Sequence, residues 1–373
     1  MKVAVLAEVL DGEKRVAATP ETVGKLGKLG AHVSVQAGAG REASIGDDAF
    51  AGAGAMVASR ADVLRDADAI LCVAGPEPSA VTGAKPGALV IGLLDPFRRR
   101  EAVAGYAAAG LDAIAMEWVP RITRAQGMDV LSSQSNLAGY KAVLDAAAEY
   151  GRAFPMMMTA AGTVSAARVF VMGVGVAGLQ AIATARRLGA VVSATDVRPE
   201  TREQIESLGA KAVFAEGLSA AGAGGYAAEL SDEQRAAQAE LVSGHIAKQD
   251  IVITTALIPG RPAPRLVSDA QLATMRPGSV VVDLAVEQGG NVEGSVAGEV
   301  AERHGVRIVG HRNVPSRLAA DASALYARNL LNFVTAFWDK EANRVVLPED
   351  DEIVRGARLT RGGQVVHERL ASI

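Results

Sequence analysis

The chain has 373 residues, of which 49% are apolar and 21% are charged, and its net charge at pH 7 is −4. This length predicts two domains with sizeable cores, and the small negative charge excludes the basic surface that nucleic-acid binding requires. The single cysteine, Cys72, excludes an internal disulfide and a cysteine-based zinc site.

Two apolar segments could be mistaken for membrane or targeting sequence. The N-terminus is short and charged at Lys2 and Glu8, which predicts a strand and not a signal peptide. The stretch 154–185 is nearly free of charge, but Pro155 and several glycines interrupt it. A membrane span needs about 20 uninterrupted apolar residues, so we expect no segment that crosses a membrane.

Strands and helices alternate through the first third of the chain. After the opening strand, Thr19-Pro20 predicts a capped helix start and Gly30 its end. Further strands are predicted at 32–36, 69–73, 88–93 and 111–116, with helices near 60–66 and 97–109. This alternation predicts a parallel sheet with helices on both faces.

A polar segment, 117–131, breaks the alternation, and we predict a long helix over about 136–150 after it. Arg121, Gln126, Asp129 and Ser132 lie in a loop that we expect to face the cleft between the domains. An arginine–carboxylate pair beside an amide can orient a carboxamide or a ribose without proton chemistry. The alternative is a solvated loop with a surface ion pair.

The second half is organised around 168–178, where an apolar β-type run leads into Gly173-x-Gly175-x-x-Gly178 and then into a helical segment. This pattern predicts a dinucleotide site, because the glycines allow a tight turn, a close pyrophosphate and close helix–strand packing. The first N–H groups of the helix would face the phosphates. The alternative is a turn that only joins a strand to a helix.

Asp196 ends the next predicted strand, eighteen residues after Gly178. This is the spacing of a carboxylate that accepts hydrogen bonds from the ribose hydroxyls. Because the carboxylate would repel a 2′-phosphate, we predict NAD rather than NADP. Arg198, two residues further on, is the feature that argues the other way.

The remaining elements complete a second α/β domain. Strands are predicted at Val169, Val191, Ala212, Ile251, Val280 and Arg307, a long helix over 322–339, and a hairpin around 361–363. The glycine-rich segment 216–230, with Tyr226, predicts either a mobile flap or an ordinary surface loop. None of the five histidines has the spacing of a metal ligand, so we predict no metal site.

The fold class that follows is α/β, with two doubly wound parallel-sheet (Rossmann-like) domains joined by long helices. We predict a discontinuous N-terminal domain, 1–135 plus 322–373, into which an NAD-binding domain, 136–321, is inserted. In this arrangement the last long helix returns to pack on the first sheet.

The chain resembles the alanine dehydrogenase and pyridine nucleotide transhydrogenase family over nearly its whole length. The segments that carry the resemblance are 14–20, 171–178 and 283–290. In addition, 120–140 is similar to the nicotinamide-orienting loop of the NAD(H)-binding components of transhydrogenases. The resemblance implies that the nicotinamide is positioned by Arg121, Gln126, Asp129 and Ser132. It implies that the cofactor site comprises Gly173, Val174, Gly175, Val176, Gly178, Asp196, Val197, Arg198, Gly225, Tyr226 and Leu257.

The departure from alanine dehydrogenases favours one activity within the family. Those enzymes hold pyruvate and move a proton with a lysine and a histidine, and the aligned positions here are Ala74 and Asp95, whereas Arg15 is retained. Amine oxidation without a proton acceptor is disfavoured. Hydride exchange between two nicotinamides needs orientation and no such acceptor.

The resemblance therefore implies an NAD(H)-binding subunit of a proton-translocating transhydrogenase. It would exchange hydride with NADP(H) held on a partner chain and couple this transfer to a membrane-integral partner. The resemblance also implies a homodimer and a cytoplasmic location, peripheral on the inner face of the cell membrane. Two alternatives stay open: an NAD-dependent alanine or amino-acid dehydrogenase acting alone, and a non-catalytic NAD-binding module.

Overall fold

The structure, a computed structural model, describes residues 1–198, 200–215, 232–258 and 260–371. The first sheet has six parallel strands in the order β3-β2-β1-β4-β5-β6. Its strands are β1 (Lys2–Val5), β2 (His32–Gln36), β3 (Met56–Ala58), β4 (Ala69–Ala74), β5 (Leu89–Leu93) and β6 (Asp112–Ala115). The helices between them are α1 (Pro20–Leu29), α2 (Asp47–Gly52), α3 (Arg60–Leu64) and α4 (Arg100–Ala108).

Local sequence explains where α1 begins and ends. The Thr19 hydroxyl accepts a hydrogen bond from the Thr22 N–H, Pro20 occupies the first turn, and Gly30 ends the helix with φ +104°. This confirms the predicted cap. Of the elements around it, sequence reasoning missed two short ones, the six-residue helix α2 and the three-residue strand β3.

The long helix α5 (Val130–Glu149) begins six residues before its predicted start, at 136. Residues 132–136 are therefore helical, and the polar segment before them contains short 3₁₀ turns at Met116–Trp118 and Thr123–Met128. An antiparallel hairpin follows α5, with strands β7 (Met157–Thr159) and β8 (Gly162–Val164), which the sequence analysis did not predict.

The second sheet has seven strands in the order β11-β10-β9-β12-β13-β15-β14. Its strands are β9 (Arg168–Met172), β10 (Val191–Thr195), β11 (Lys211–Ala212), β12 (Ile251–Thr254), β13 (Val280–Asp283), β14 (Val300–Arg303) and β15 (Val306–Val309). The helices in this part of the chain are α6 (Val176–Arg187), α7 (Thr201–Ser207), α8 (Asp232–Ile246) and α9 (Asp269–Leu272).

The second sheet is mostly parallel, as predicted, and one strand at its edge runs in the opposite direction. β14 pairs antiparallel with β15 at the sheet edge. The link is a tight turn in which His304 and Gly305 both have positive φ angles, the backbone that two-residue hairpins require. Antiparallel edge strands are common on otherwise parallel sheets, so the predicted α/β class is confirmed.

The C-terminal segment contains α10 (Ala319–Ala336), β16 (Trp338–Asp339), β17 (Arg344–Val345), α11 (Glu352–Ala357), β18 (Thr360–Arg361), β19 (Gln364–Val365) and α12 (Glu368–Ala371). β18 and β19 form the hairpin predicted around 361–363. Tyr326, Leu330 and Phe333 of α10 are fully buried in one core with Val3 and Val5 of β1. The predicted return of this helix to the first sheet is confirmed.

The contacts divide the chain into two compact units. The first unit consists of Met1–Gln134 and the chain from Pro315 onward, and the second of Ser135–Val314. The domain boundaries predicted from sequence, 1–135 plus 322–373 and 136–321, stay a prediction.

Candidate functional site

The glycine turn of the second unit lies where β9 ends and α6 begins. Gly173 has φ +99°, a conformation that favours glycine. A Cβ at Gly178 would lie 1.9 Å from the Gly173 carbonyl oxygen, whereas nothing lies within 4 Å of a Cβ at Gly175. The turn therefore needs glycine at its first and third positions for its own packing, and it leaves open space at the second.

The turn lies at the switch point of the sheet, where β9 is flanked by β10 on one side and β12 on the other. In open α/β sheets, ligands bind in the crevice at this point, beyond the carboxyl ends of the strands. Thr255, which follows β12, donates from its hydroxyl to the Gly173 carbonyl at 3.1 Å. The two sides of the crevice are thus connected at the turn itself.

Asp196, which follows β10, is held beside this turn. Its Oδ2 accepts from the Val174 N–H at 2.7 Å, and its Oδ1 accepts from the Arg198 N–H and from Arg198 Nε, both at 2.9 Å. Burial by itself raises the pKa of Asp196, but the ion pair with Arg198 and the two N–H groups outweigh it and hold the pKa below its usual range. The carboxylate is therefore charged at neutral pH and faces the turn.

The other predicted cofactor residues of the second unit differ in exposure. Val174 is buried in the core and presents only its backbone to the turn, and Val176 is half-buried. Val197 and Leu257 are exposed, by 71% and 47%. Apolar side chains that are exposed beside the crevice are available to cover a flat ring.

Two buried residues support the crevice: Asn291, which sequence reasoning missed, and Asp283, the first residue of the segment 283–290 that carries the family resemblance. Asn291 is fully buried; its side-chain amide accepts from the Ala256 N–H at 3.1 Å and donates to the carbonyls of Ala256 and Pro264 at 2.9 and 2.8 Å. Asp283, at the end of β13, accepts from the Ala285 and Asn291 N–H groups. Asn291 lies among glycines and polar residues (Gly289, Gly290 and Glu293), so its sequence context gave no signal that it is buried.

Gly225 and Tyr226, with the rest of the segment 216–230, lie outside the described residues. The prediction that this segment is a flap over the site stays a prediction.

In the first unit, three of the four residues predicted to orient the nicotinamide come together at the start of α5. Asp129 accepts from the Ser132 N–H at 2.8 Å and from the Ser132 hydroxyl at 2.6 Å, which is the arrangement of a helix cap. Arg121 Nε lies 3.6 Å from Asp129 Oδ2. Gln126 is exposed on the 3₁₀ turn just before them. The Asp129 carboxylate thus fixes both the helix start and the adjacent arginine.

The C-terminal helix α10 holds this loop. Asn329 and Asn332 both donate from their amides to the Gly127 carbonyl at 2.8 Å, and Ser133 donates to Asn329 Oδ1 at 2.8 Å. Arg124 forms a two-bond ion pair with Asp351. Gly127 and Asn332 are about two hundred residues apart, so no local pattern could have indicated these contacts.

The first sheet also has a switch point, between β1 and β4, but a side chain of the protein occupies it. The Glu8 carboxylate accepts from the Val73 and Ala74 N–H groups at 2.6 and 3.1 Å. Burial raises the pKa of Glu8 to about 7. There is no glycine turn after β1, and the strand-end amides are already bonded, which makes this edge a poor dinucleotide site.

Ala74 and Asp95, where the sequence analysis expects the lysine and the histidine of a dehydrogenase to be replaced, lie at the same edge. Ala74 ends β4, and the Asp95 carboxylate after β5 pairs with Arg98 at 2.6 Å. Arg15 is buried, forms an ion pair with Glu13 at 2.6 Å, and donates to Gln134 Oε1 at 2.8 Å. The guanidinium is therefore already bonded to side chains of the protein.

Together, these features fit an anionic dinucleotide at the second sheet. The glycine turn leaves room at Gly175, the N-terminus of α6 directs its first N–H groups toward an anion, and the Asp196 carboxylate, ion-paired with Arg198, lies beside the turn. Within the described ranges, no three or more His, Cys, Asp or Glu side chains are grouped so that they could hold a metal ion. No helix among the described residues is both long and apolar enough to cross a membrane.

Comparisons with known proteins agree with this geometry. The N-terminal domain of the alanine dehydrogenase/PNT family matches residues 4–138, and its C-terminal domain matches residues 142–368. The chain is 53% identical over 379 aligned positions to the first part of NAD(P) transhydrogenase subunit alpha of Rhodospirillum rubrum, with 99% of each chain covered.

The structural comparison is equally extensive. A solved transhydrogenase from Sinorhizobium meliloti superposes with a TM-score of 0.91 at 56% identity, covering 98% of this chain and all of that one. In sequence, alanine dehydrogenase of Mycobacterium tuberculosis is 32% identical over 305 aligned positions, covering 79% of this chain and 75% of that protein.

Proposed function

The chain belongs to the alanine dehydrogenase/pyridine nucleotide transhydrogenase family, and we propose that it is the NAD(H)-binding subunit of a proton-translocating NAD(P) transhydrogenase. It binds NAD(H) and exchanges hydride directly with NADP(H) held on a partner subunit. A membrane-integral partner couples this transfer to proton movement. In this proposal the chain is a homodimer and lies on the cytoplasmic face of the membrane through its partners.

One observation carries the choice between the two activities of the family. Ala74 and Asp95 stand where an alanine dehydrogenase needs a lysine and a histidine. The Arg15 guanidinium forms an ion pair with Glu13 and a hydrogen bond to Gln134. Ala74 has no ionisable group and the Asp95 carboxylate is ion-paired with Arg98, so these positions lack the lysine–histidine pair that alanine oxidation uses for proton transfer. Transfer between two nicotinamides avoids this requirement, because the dihydronicotinamide carbon gives up a hydride directly.

In this proposal the residues of the second unit bind the nucleotide, and those around the start of α5 orient its nicotinamide ring. The N–H groups at the start of α6 hold the pyrophosphate. Asp196 and Arg198 hold the adenosine ribose. The side chains of Val176, Val197 and Leu257 cover apolar surface of the bound nucleotide. Gly225 and Tyr226 belong to the flap. Arg121, Asp129, Ser132 and Gln126 orient the carboxamide and ring, and most of the rate acceleration comes from this orientation.

The first experiment is a mixed assay. The purified chain and the NADP(H)-binding component are combined with NADPH as the hydride donor and the 3-acetylpyridine analogue of NAD⁺ as the acceptor. We expect reduction of the analogue by the mixture and by neither protein alone. Turnover of alanine with NAD by the chain alone would instead identify a dehydrogenase. Tight NADH binding without any transfer would identify a binding module.

Gln126 gives a sharper test of the orienting loop. Because the side chain is exposed on the Thr123–Met128 turn, Gln126→Ala should leave the fold intact. We expect hydride transfer to slow by about 100-fold, while the Kd for NADH changes by less than about threefold, since misorientation affects the transition state more than the ground state. Thr123→Ala, an exposed change in the same turn, is the control. Equal losses of rate and affinity would make Gln126 an ordinary binding residue.

A further inference from the structure

The long helix α5 approaches α6 unusually closely at Gly139. A Cβ on Gly139 would lie 2.0 Å from the carbonyl oxygen of Ala177, 2.8 Å from its carbonyl carbon and 2.9 Å from its Cα. All three atoms belong to the backbone of the first turn of α6, so no side chain can move aside to make room. Only glycine allows the two helices to pack at this separation.

A second contact lies one turn away on the same two helices. Asn136 of α5 donates from its amide to Gln180 Oε1 of α6 at 3.3 Å. Residues 136 and 139 share one face of α5, and 177 and 180 share one face of α6. The two contacts therefore set both the spacing and the register of the helices.

The turn of α6 that Gly139 touches is the one that begins the glycine fingerprint helix. Ala177 lies between Gly175 and Gly178, and the N–H groups of Val176, Ala177 and Gly178 are the first of the helix. Their positions fix where an anion can be bound. On the side that faces α5, this turn packs against Gly139.

We propose that Gly139 is a positioning residue for the dinucleotide: it sets the distance between α5 and the N-terminal turn of α6, and so places the N–H groups that hold the pyrophosphate. This rests on the proposed function in that the ligand is NAD(H). A methyl group at this position must displace the Ala177 carbonyl by about 1 Å or more to reach an ordinary contact. A misplacement of about 1 Å in a reacting geometry costs about 100-fold in rate, and we expect a loss of affinity of up to that size when these N–H groups move.

The test is Gly139→Ala, with NADH binding measured by isothermal titration calorimetry on the full chain. We expect the Kd for NADH to rise ten- to a hundredfold with an unchanged number of sites, and the Kd for ADP-ribose, which keeps the pyrophosphate, to rise by the same factor. Adenosine, which lacks the pyrophosphate, should lose less than about threefold. A variant that only misfolds would show fewer sites at the wild-type Kd, and Asn136→Ala then decides: an unchanged Kd in that variant would overturn the proposal.

Two further variants complete the design. Gly244→Ala in α8 is the matched control, since nothing lies within 4 Å of a Cβ there, and its Kd should equal that of the wild type. Asn136→Ala removes the neighbouring contact without adding volume and should raise the Kd a few-fold, so it tests the same packing if Gly139→Ala does not fold. Failure of the wild type to bind NADH would count against the proposed function, whereas a Gly139→Ala variant that binds like the wild type would count against this inference alone.

Discussion

Gly178→Ala is expected to abolish measurable NADH binding, with a Kd at least about 100-fold above that of the wild type. The Cβ that alanine adds would lie 1.9 Å from the Gly173 carbonyl oxygen and 2.9 Å from its carbon. Neither atom can yield easily, because Gly173 already has φ +99° and its carbonyl accepts from the Thr255 hydroxyl. Either the turn opens or α6 moves away from β9, and both outcomes displace the N–H groups that would face the pyrophosphate.

Gly175→Ala tests the approach of the ligand without disturbing the packing of the turn. Nothing lies within 4 Å of its Cβ, and its φ of −82° suits alanine, so the melting temperature should stay within about 1 °C of the wild type. NADH affinity should still fall, since the pyrophosphate would approach at this position.

For Gly178→Ala, in contrast, the melting temperature should fall together with the affinity, because overpacking costs about 1–3 kcal/mol. NADH fluorescence titration and thermal unfolding of each variant provide both readouts. NADH binding by Gly178→Ala within threefold of the wild type would contradict the assignment of this turn as the dinucleotide site.

The fingerprint could be predicted from sequence because all of its information is local. A tight turn, a helix start and a strand-end carboxylate each depend on residues a few positions apart, as at Gly173, Gly178 and Asp196. The Thr19 cap and the turn at 361–363 are local in the same way, and these were predicted correctly.

The features that sequence reasoning missed depend on residues far apart in the chain. In the sequence, Gly139 is an unfavourable glycine inside a helix, and only the structure shows that it contacts the backbone of α6. In the sequence, Asn329 and Asn332 are ordinary polar positions of an amphipathic helix, and only the structure shows that both donate to the Gly127 carbonyl. Close backbone approach and buried amide contacts leave no periodic signal, so such positioning residues become visible only in the structure.

The first unit is expected to lose stability as pH rises from about 4.5 to above 7, because of two buried carboxyl groups. Burial raises the pKa of Glu117, as it does that of Glu8, from 4.5 to about 7. Between these values the folded chain keeps both protons while the unfolded chain releases them, so the free energy of unfolding falls with rising pH. A shift of this size corresponds to about 3 kcal/mol for each group.

Glu117 is the better of the two carboxyl groups to test. Its Oε1 accepts from the Asp95 N–H at 2.6 Å, but its buried Oε2 has no hydrogen-bond partner in the described part of the chain. Ionisation would thus place a charge on an atom that nothing solvates. Glutamine keeps the acceptor for Asp95 and cannot ionise, so Glu117→Gln resembles the protonated acid at every pH.

We expect the stability of Glu117→Gln relative to the wild type to increase by about 3 kcal/mol between pH 5 and pH 8. Both tryptophans of the chain, Trp118 and Trp338, lie in the first unit, so tryptophan fluorescence during urea unfolding follows the loss of structure in that unit. Glu101→Gln, an exposed change in α4 of the same unit, is the control and should show no such trend. A stability difference between Glu117→Gln and the wild type that does not change with pH would mean that Glu117 is already ionised at pH 5, and the buried edge of the first sheet would then have to solvate a full charge.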